Sequence, residues 1–487
     1  MSNLSELLPT GGGQNSVDFV ASGNLASGQA VVLKADGTVE AVTGATEGVG
    51  TPATFNAATT GYITSTYDST NNKVVIAYKN EGGSNYGTAV VGTVSGTTIS
   101  FGTPVVFRSL QTQFISATFD SVNSKVVIAY QDYGYGVYGG FAIVGTVSGT
   151  SISFGTAVAF NSAHTEWIAA TYDVASGKIV IAYRDVGNGY KGTAIVGTVS
   201  GTAISFGSEV VFYATYFENI AISYDSTAAK VVICGTDGNN NHGYGIVGTV
   251  SGTAISFGSA VAFATGSGAA STSTSYNLQA DKTVIIYGDT SNSGYPTVKI
   301  ATLSGTSISF GSAVVVQNAA GSWIGSVYDS SNAKTIFSYV DNGNSNSSYG
   351  TIIVGTVSGT SISFGTKVVY NAAITASNAI TYDSTNNKAV VGYRDATSSL
   401  NHGKGIVFTV GSSNNTSFIG ITSEAISNTA TGAINTYGGI NSVQTGLTIA
   451  SDYYVQADGS LSTTSTSPAI KVGQAVSATT INMKDLT

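Results

Sequence analysis

Hydrophobic and polar residues alternate in short bursts along most of this chain, and the bursts recur in a fixed order. In the second repeat, residues 114–119, 125–130, 141–147 and 151–160 each alternate with period two and are rich in β-branched and aromatic side chains, with turn residues between them. That period places successive side chains on opposite faces of a strand. Each repeat therefore predicts a four-stranded antiparallel sheet. No stretch carries the period of an amphipathic helix.

The repeat is explicit in the letters. YDSTNNKVVIAY from Tyr67 returns as FDSVNSKVVIAY from Phe119, YDVASGKIVIAY from Tyr172 and YDSTAAKVVICG from Tyr224, then again from Tyr276, Tyr328 and Tyr382. The spacing is roughly 52 residues, within the range of repeat architectures. A second motif, SGTxISFG, follows the first six copies from Ser95, Ser148, Ser200, Ser251, Ser304 and Ser358, and is worn down around Phe418 in the seventh. Radial stacking hides sheet edges that a linear stack would leave needing polar caps. The expected fold is an all-β, seven-bladed propeller over residues 50–418, flanked by β segments at 1–49 and 419–487. Gly50–Phe55 (GTPATF) matches Gly102–Phe107 (GTPVVF), and the equivalent piece is missing after the seventh copy. Residues 51–55 are thus expected to complete the seventh blade, which begins near Ala376, as a clasp.

Composition narrows the function. The chain has 487 residues, 42% hydrophobic and only 9% charged, with a net charge of −8. That balance disfavours nucleic-acid phosphate and anionic membrane surfaces as partners. No run reaches the roughly 18 apolar residues of a membrane span, and the start MSNLSELLPTGGG has no export-signal pattern. Seven lysines, Lys73, Lys125, Lys178, Lys230, Lys282, Lys334 and Lys388, hold one turn position beside an Asp or Asn and read as architecture. Cys234 stands where sister repeats have Ala77, Ala129 and Ala182, which predicts a small buried side chain.

Catalysis by a nucleophile or a metal needs clustered partners. The three histidines, His164, His242 and His402, sit in no such motif. Arg108, Arg184 and Arg394 are the only candidates for a carboxylate clamp, but Arg184 and Arg394 share one repeat position, which spaces them by blades. Neither an enzyme nor a cofactor nor a metal site is expected. Asn80, Asp132, Asp185, Asp237, Asp289, Asp341 and Asp395 end the second strand of each repeat. One acid per blade reads as a cation site or, better, as turn-capping carboxylates.

The repeats differ on one face only. The first and third turns are near-uniform, whereas the second and fourth connections vary, as in DYGYGVYGG, DGNNNHGYG, NSAHTEW and YATYFEN. Tyr, Asn, Gly, Ser and Trp on a rigid frame compose adaptable recognition surfaces. The blade-specific candidates for binding are Arg108, Tyr133, Tyr135, His164, Glu166, Trp167, Tyr213, Tyr216, Phe217, Glu218, His242, Trp323 and His402. Tyr86, Tyr138, Tyr190, Tyr244, Tyr295 and Tyr349 recur before the third strand and read as structural.

The flanks carry strand, ADG turn and strand around Asp36 and Asp458, and are expected to meet in one small β module. Their segments LLPTGGGQNSVDFVASG, GQAVVLKADGTV and GLTIASDYYVQADGSLSTTSTSPAIKVGQAVSAT resemble bacteriophage tail-fibre and related virion proteins. The resemblance implies a virion protein, made in the host cytoplasm without a signal peptide. It implies attachment to other virion proteins through the flanks, and a homo-oligomer, as a trimer in a fibre. With it, the expected role is a non-enzymatic adhesin presenting a propeller face to a host surface glycan or protein. A capsid or tail decoration protein and a glycan-cleaving enzyme are the alternatives.

Overall fold

The uniform turns fold for a local reason. Asp68 Oδ1 accepts from the backbone N–H groups of Thr70 and Asn71, both at 3.0 Å, while Asn71 Nδ2 donates to Asp68 Oδ2 at 2.8 Å. Asn72 then takes a left-handed backbone with φ 53°, a conformation that Asn tolerates. Asp120, Asp329 and Asp383 repeat the arrangement with Asn123, Asn332 and Asn386. The repeated lysine is the Asp's partner in backbone register, as for Asp68 and Lys73, but among the described residues no ion pair joins them. The carboxylate is buried and already filled by amide donors. Lys178 and Lys334 instead donate to Thr198 and Thr356 at 2.9 and 2.8 Å.

The computed structural model describes residues 15–134, 137–266, 268–344, 347–397, 401–465 and 470–483. Among these the chain is all-β with no α-helix. It divides into two units, one running Val49–Thr409, the other joining the segments up to Gly48 and from Val410 onward.

The larger unit is a β-propeller. In each repeat an inner strand pairs with a second and the second with a third, as in residues 60–68, Lys73–Asn80 and Tyr86–Ser95. The outer edge comes in two pieces. Thr98–Phe101 returns through a two-residue SGT hairpin, where Gly96 supplies φ 59°, and residues 105–111 then pair further along the same third strand. Four strands of 16 residues, Ala53–Asp68, Val105–Asp120, Val210–Asp225 and Val368–Asp383, are outer edge to one sheet in their first half and inner strand to the next in their second. The inner strands touch in succession from repeat to repeat, and that of the seventh touches that of the first.

One aromatic contact locks neighbouring sheets. Phe107, on the outer strand of the first repeat, packs 5.2 Å from Tyr130 and 5.7 Å from Phe154 of the second. Phe160 with Tyr183 and Phe263 with Tyr287 repeat it at 5.2 Å, and Tyr370 with Tyr393 at 5.1 Å. Each outer ring lies across a glycine of the third strand. A Cβ at Gly87, Gly140, Gly192, Gly243 or Gly350 would come within 2.3 to 2.6 Å of it. The fifth repeat has Pro296 at the glycine position and Val316 at the ring position, so notch and ring are lost together.

The clasp obeys the same rule. Residues 53–59 pair with His402–Thr409 of the seventh repeat, and Gly50 N donates to Val407 O at 2.9 Å, just as Gly102 N donates to Val91 O. The pairing starts two residues later than the expected clasp of residues 51–55 and runs on to Thr59. Phe55 lies against the Gly403 notch, 5.0 Å from Tyr78 and 5.6 Å from Phe101 of the first repeat.

In the smaller unit, Ser16–Val20 pairs with Thr431–Thr436, and Ala30–Leu33 with Phe418–Thr422. A second sheet is built from Ile440–Asn441, Asp452–Val455, Leu461–Ser462, Ile470–Ala475 and Ile481–Asn482. Val32, Phe418, Tyr453, Val455, Val472 and Ile481 share one core. Both ADG turns form, with Asp36 and Asp458 capping Thr38 N and Ser460 N at 3.0 and 2.9 Å.

Phe55→Ala should destabilise the protein by about 3–5 kcal/mol, the cost of a buried Phe truncation, and by as much as Phe107→Ala. Urea unfolding followed by tyrosine fluorescence measures both. A loss for Phe55 below about 0.5 kcal/mol, the level of a free surface residue, would mean that the clasp carries no load.

Candidate functional site: the varied face

Every inner strand carries a bulge near its start. The register shifts between Gly61 and Thr64, Gln113 and Ser116, and Glu166 and Ala169, and likewise in the other four repeats. A left-handed residue sits in each: Tyr62, Phe114, Trp167, Asn219, Ser271, Trp323 and Ser377, with φ between 46° and 52°. Left-handed backbone costs a non-glycine residue roughly 1–2 kcal/mol, and bulges re-aim side chains. Here they bring three successive residues of this column into contact. Tyr62 lies 5.4 Å from Phe114, and Phe114 lies 5.5 Å from Trp167. Burial, then the charges of Glu81 and Glu166, raises the Tyr62 phenol above its ordinary value.

Beside this arc is a charged cluster. Arg184, 7% exposed, hydrogen-bonds Glu166 of its own repeat and, at 2.9 Å, Glu218 of the next. Its guanidinium carbon is 4.9 Å from the Tyr216 ring centroid, 5.7 Å from Tyr190 and 6.0 Å from Trp167, within cation–π range. Burial opposes its charge, but the bond to Glu166 and the charges of Glu166 and Glu218 outweigh that and raise its pKa. Tyr216 donates to Glu218 at 3.0 Å, and burial and that bond keep it protonated. His164 Nε2 lies 2.9 Å from Glu166 Oε1. The His164 ring is 5.0 Å from Tyr138, which stacks 4.3 Å from Tyr133.

Six of the sequence-selected residues, Tyr133, His164, Glu166, Trp167, Tyr216 and Glu218, therefore belong to one connected patch. Arg108 is held by the buried Asp132 at 2.6 Å. Tyr213 donates to Asp237 at 3.0 Å and packs on Phe217 and Tyr244. His242 heads a third strand near Tyr244, and His402 heads another with Nε2 buried. Trp323 is 49% exposed. Tyr135 lies outside the described residues.

Phe217 is fully buried and offers no surface for recognition. The fourth repeat has Gly235 where the others have Tyr78, Tyr130, Tyr183, Tyr287, Tyr339 and Tyr393, and a Cβ at Gly235 would meet the Phe217 ring at 2.5 Å. Phe217 fills the missing tyrosine's place and meets the outer ring of Phe212 at 5.5 Å. Sequence reasoning also set Arg184, Tyr138 and Tyr190 apart from the binding candidates and passed over Tyr62 and Phe114. The signal was a column of unlike residues five positions before each repeat's Tyr or Phe.

Five of the six second-strand acids cap turns, and Asp132 instead holds Arg108. Asp185, Asp237, Asp289, Asp341 and Asp395 accept backbone N–H bonds from residues two or three further on, at 2.9 to 3.1 Å. Among the described residues no group of three His, Cys, Asp or Glu is placed to hold a metal ion. Cys234 is buried, which pushes its thiol pKa up. A recess of about 550 Å³ in the smaller unit is lined by small polar residues such as Asn15, Ser16, Asn435 and Ser442. No helix among the described residues is long and apolar enough to cross a membrane.

No protein-family model matches this chain, and no curated protein does. Among solved structures it is similar to the Myceliophteria thermophila Cps50 (Swd1) β-propeller domain, with 8% identity, a TM-score of 0.44, and coverage of 74% of this chain and 100% of that one. It is also similar to a leech intramolecular trans-sialidase complexed with 2,7-anhydro-Neu5Ac, with 9% identity, a TM-score of 0.44, and coverage of 74% and 69%.

Phe217→Ala should destabilise by about 3–5 kcal/mol, whereas Phe217→Thr combined with Gly235→Tyr, which restores the pattern of the other repeats, should recover most of the loss. Thermal unfolding of the single and double variants checks the coupling, and strict additivity would refute the exchange.

Asp395 supplies a pH test. Burial opposes its charge, but hydrogen bonds from Lys404 and Thr397 outweigh that and hold its carboxyl below the usual range. A depressed folded pKa adds stability above the unfolded value of about 3.9 that is lost as pH falls through the folded one. Lys404→Met should lower the urea midpoint at pH 7, and its deficit against wild type should shrink from about pH 4 downward.

Proposed function

We propose that this chain is a non-enzymatic adhesin of a phage virion, built as a seven-bladed propeller whose varied face meets a host surface glycan or protein. The seven-bladed reading rests on the clasp of residues 53–59 and on the closed succession of inner-strand contacts. The binding reading rests on one observation. Repeat-equivalent positions that could all have been alike instead bring unlike aromatic and charged residues together on the varied face, with Tyr133, Tyr190 and Trp323 41%, 44% and 49% exposed. Exposed aromatic residues tend to dominate interface energies.

The virion reading rests on the resemblance of the flanks to tail-fibre proteins. The flanks are the expected attachment module, and a symmetric oligomer is the expected state. Ile440, Ile449 and Val476 in the smaller unit are 60%, 63% and 52% exposed, apolar surface suited to assembly with other virion proteins. The same surface favours the second reading, a capsid or tail decoration protein without a dedicated receptor. Nothing in the cluster adds to the enzyme reading, because both terminal nitrogens of Arg184 are bonded to carboxylates and burial and the bond to Glu218 raise the Tyr216 pKa.

Immuno-gold labelling of phage particles places the protein on fibre or capsid, and purified protein added to host cells reports attachment. Combining Tyr133→Ala, Tyr190→Ala and Trp323→Ala should change stability by less than about 0.5 kcal/mol per site and weaken attachment at least tenfold. Val122→Ser, Val174→Ser and Leu278→Ser on the uniform turns should leave attachment intact. Attachment lost only through the uniform turns would reverse the assignment, and no attachment at all by wild type would favour decoration.

A further inference from the structure

Resting on the reading of the varied face as the binding face, we infer that its ligand is an uncharged polysaccharide strand lying across the second to fourth repeats. An unbroken line of groups crosses them. Tyr133 stacks on Tyr138 at 4.3 Å and 26°, and Tyr138 leans on His164 at 5.0 Å. His164 meets Glu166, Arg184 joins Glu166 to Glu218, Tyr216 donates to Glu218, and Tyr190 closes the line 5.2 Å from Tyr216. The ends are the exposed rings, Tyr133 at 41% and Tyr190 at 44%. The middle is polar, with the Glu166 and Glu218 side chains 20% and 24% exposed.

This order suits a chain of sugar rings. The apolar face of a pyranose packs on an aromatic ring, and its hydroxyls donate to carboxylates, which make stronger hydrogen bonds than neutral acceptors. Two rings separated by acceptors fit successive residues of one glycan and not a single small molecule. Charge decides the class of glycan. Two carboxylates share one guanidinium, and Lys191 beside Tyr190, bonded to Asn188, balances the second of them, in a chain whose own net charge is −8. The guanidinium that would read a sugar carboxylate is already bonded on both sides. The line thus offers no excess of positive charge to a uronate or sialate chain. Protein partners are disfavoured by the same geometry, because the line offers hydrogen-bond acceptors between rings and no apolar pocket for an anchoring side chain. Trp323 stands apart, with no ring partner among the described residues.

Affinity electrophoresis of the full chain through native gels containing dextran, mannan or galactomannan, with alginate and polygalacturonate in parallel, tests this. Retardation is expected in at least one neutral gel and in neither uronate gel. Tyr133→Ala and Tyr190→Ala should each weaken it about tenfold, the scale of one aromatic contact. Glu218→Gln keeps the shape, frees Arg184 from one carboxylate and should shift preference toward alginate. Val122→Ser on a uniform turn should bind as wild type. Binding to alginate by wild type, or to none of the neutral probes, overturns the inference. If Trp323→Ala abolishes retardation while the two tyrosine variants keep it, the placement on the second to fourth repeats is wrong but the varied face still binds. If only the Val122, Val174 and Leu278 variants lose it, the varied-face reading itself falls.

Discussion

The propeller depends on one contact, an aromatic ring on the outer strand of six of the seven repeats laid across a glycine and pressed against the next sheet. A four-stranded sheet with an apolar face is not stable alone, and it gains most when that face is covered by a neighbour of the same shape. The ring of Phe107 touches both its own glycine notch at Gly87 and the Tyr130 and Phe154 rings of the next repeat. Geometry within one sheet is thereby coupled to packing between two. The exceptions support the rule, since Pro296 and Val316 change together, as do Gly235 and Phe217. Compensation inside one chain is what a shared volume constraint produces.

Most of the fold was legible because the repeat samples each position several times. The Asp68-type turn, the SGT hairpin and the GTPATF match each rest on residues whose backbone geometry follows from their chemistry, and each lies where the pattern put it. The outer strand was read as one run, 151–160, and is two pieces, Ser151–Phe154 and Val158–Asn161, divided where Gly155 N turns back to Val144 O. Alternation continues across such a break, so periodicity cannot see it.

The candidate site was half legible for a different reason. Variation among repeats picked out Trp167, Glu166 and Glu218, which Arg184 brings together, but variation has two causes that look alike in a sequence. One is freedom at an exposed strand bulge, as at Trp323. The other is compensation in a core, as at Phe217, whose partner Gly235 lies eighteen residues on and is adjacent only after the strands pair. Equally, recurrence does not prove a structural role. Tyr138 and Tyr190 share a column, yet one is wedged between Tyr133 and His164 while the other is an exposed ring beside Arg184.

The seven bulges explain how a symmetric frame carries an asymmetric surface. The backbone cost of a left-handed residue is lower for Asn219 than for Tyr62 or Ser377, yet the same bulge forms with each of them. Packing at this column differs from repeat to repeat: Tyr62, Phe114 and Trp167 lean on core clusters, Ser377 is buried and Trp323 is exposed. Three consecutive aromatic residues collect on one arc, and the only arginine bonded to acids of two repeats, among the described residues, lies next to them. One backbone position that accepts both a buried Ser377 and an exposed Trp323 lets a repeated frame present a different surface at each repeat.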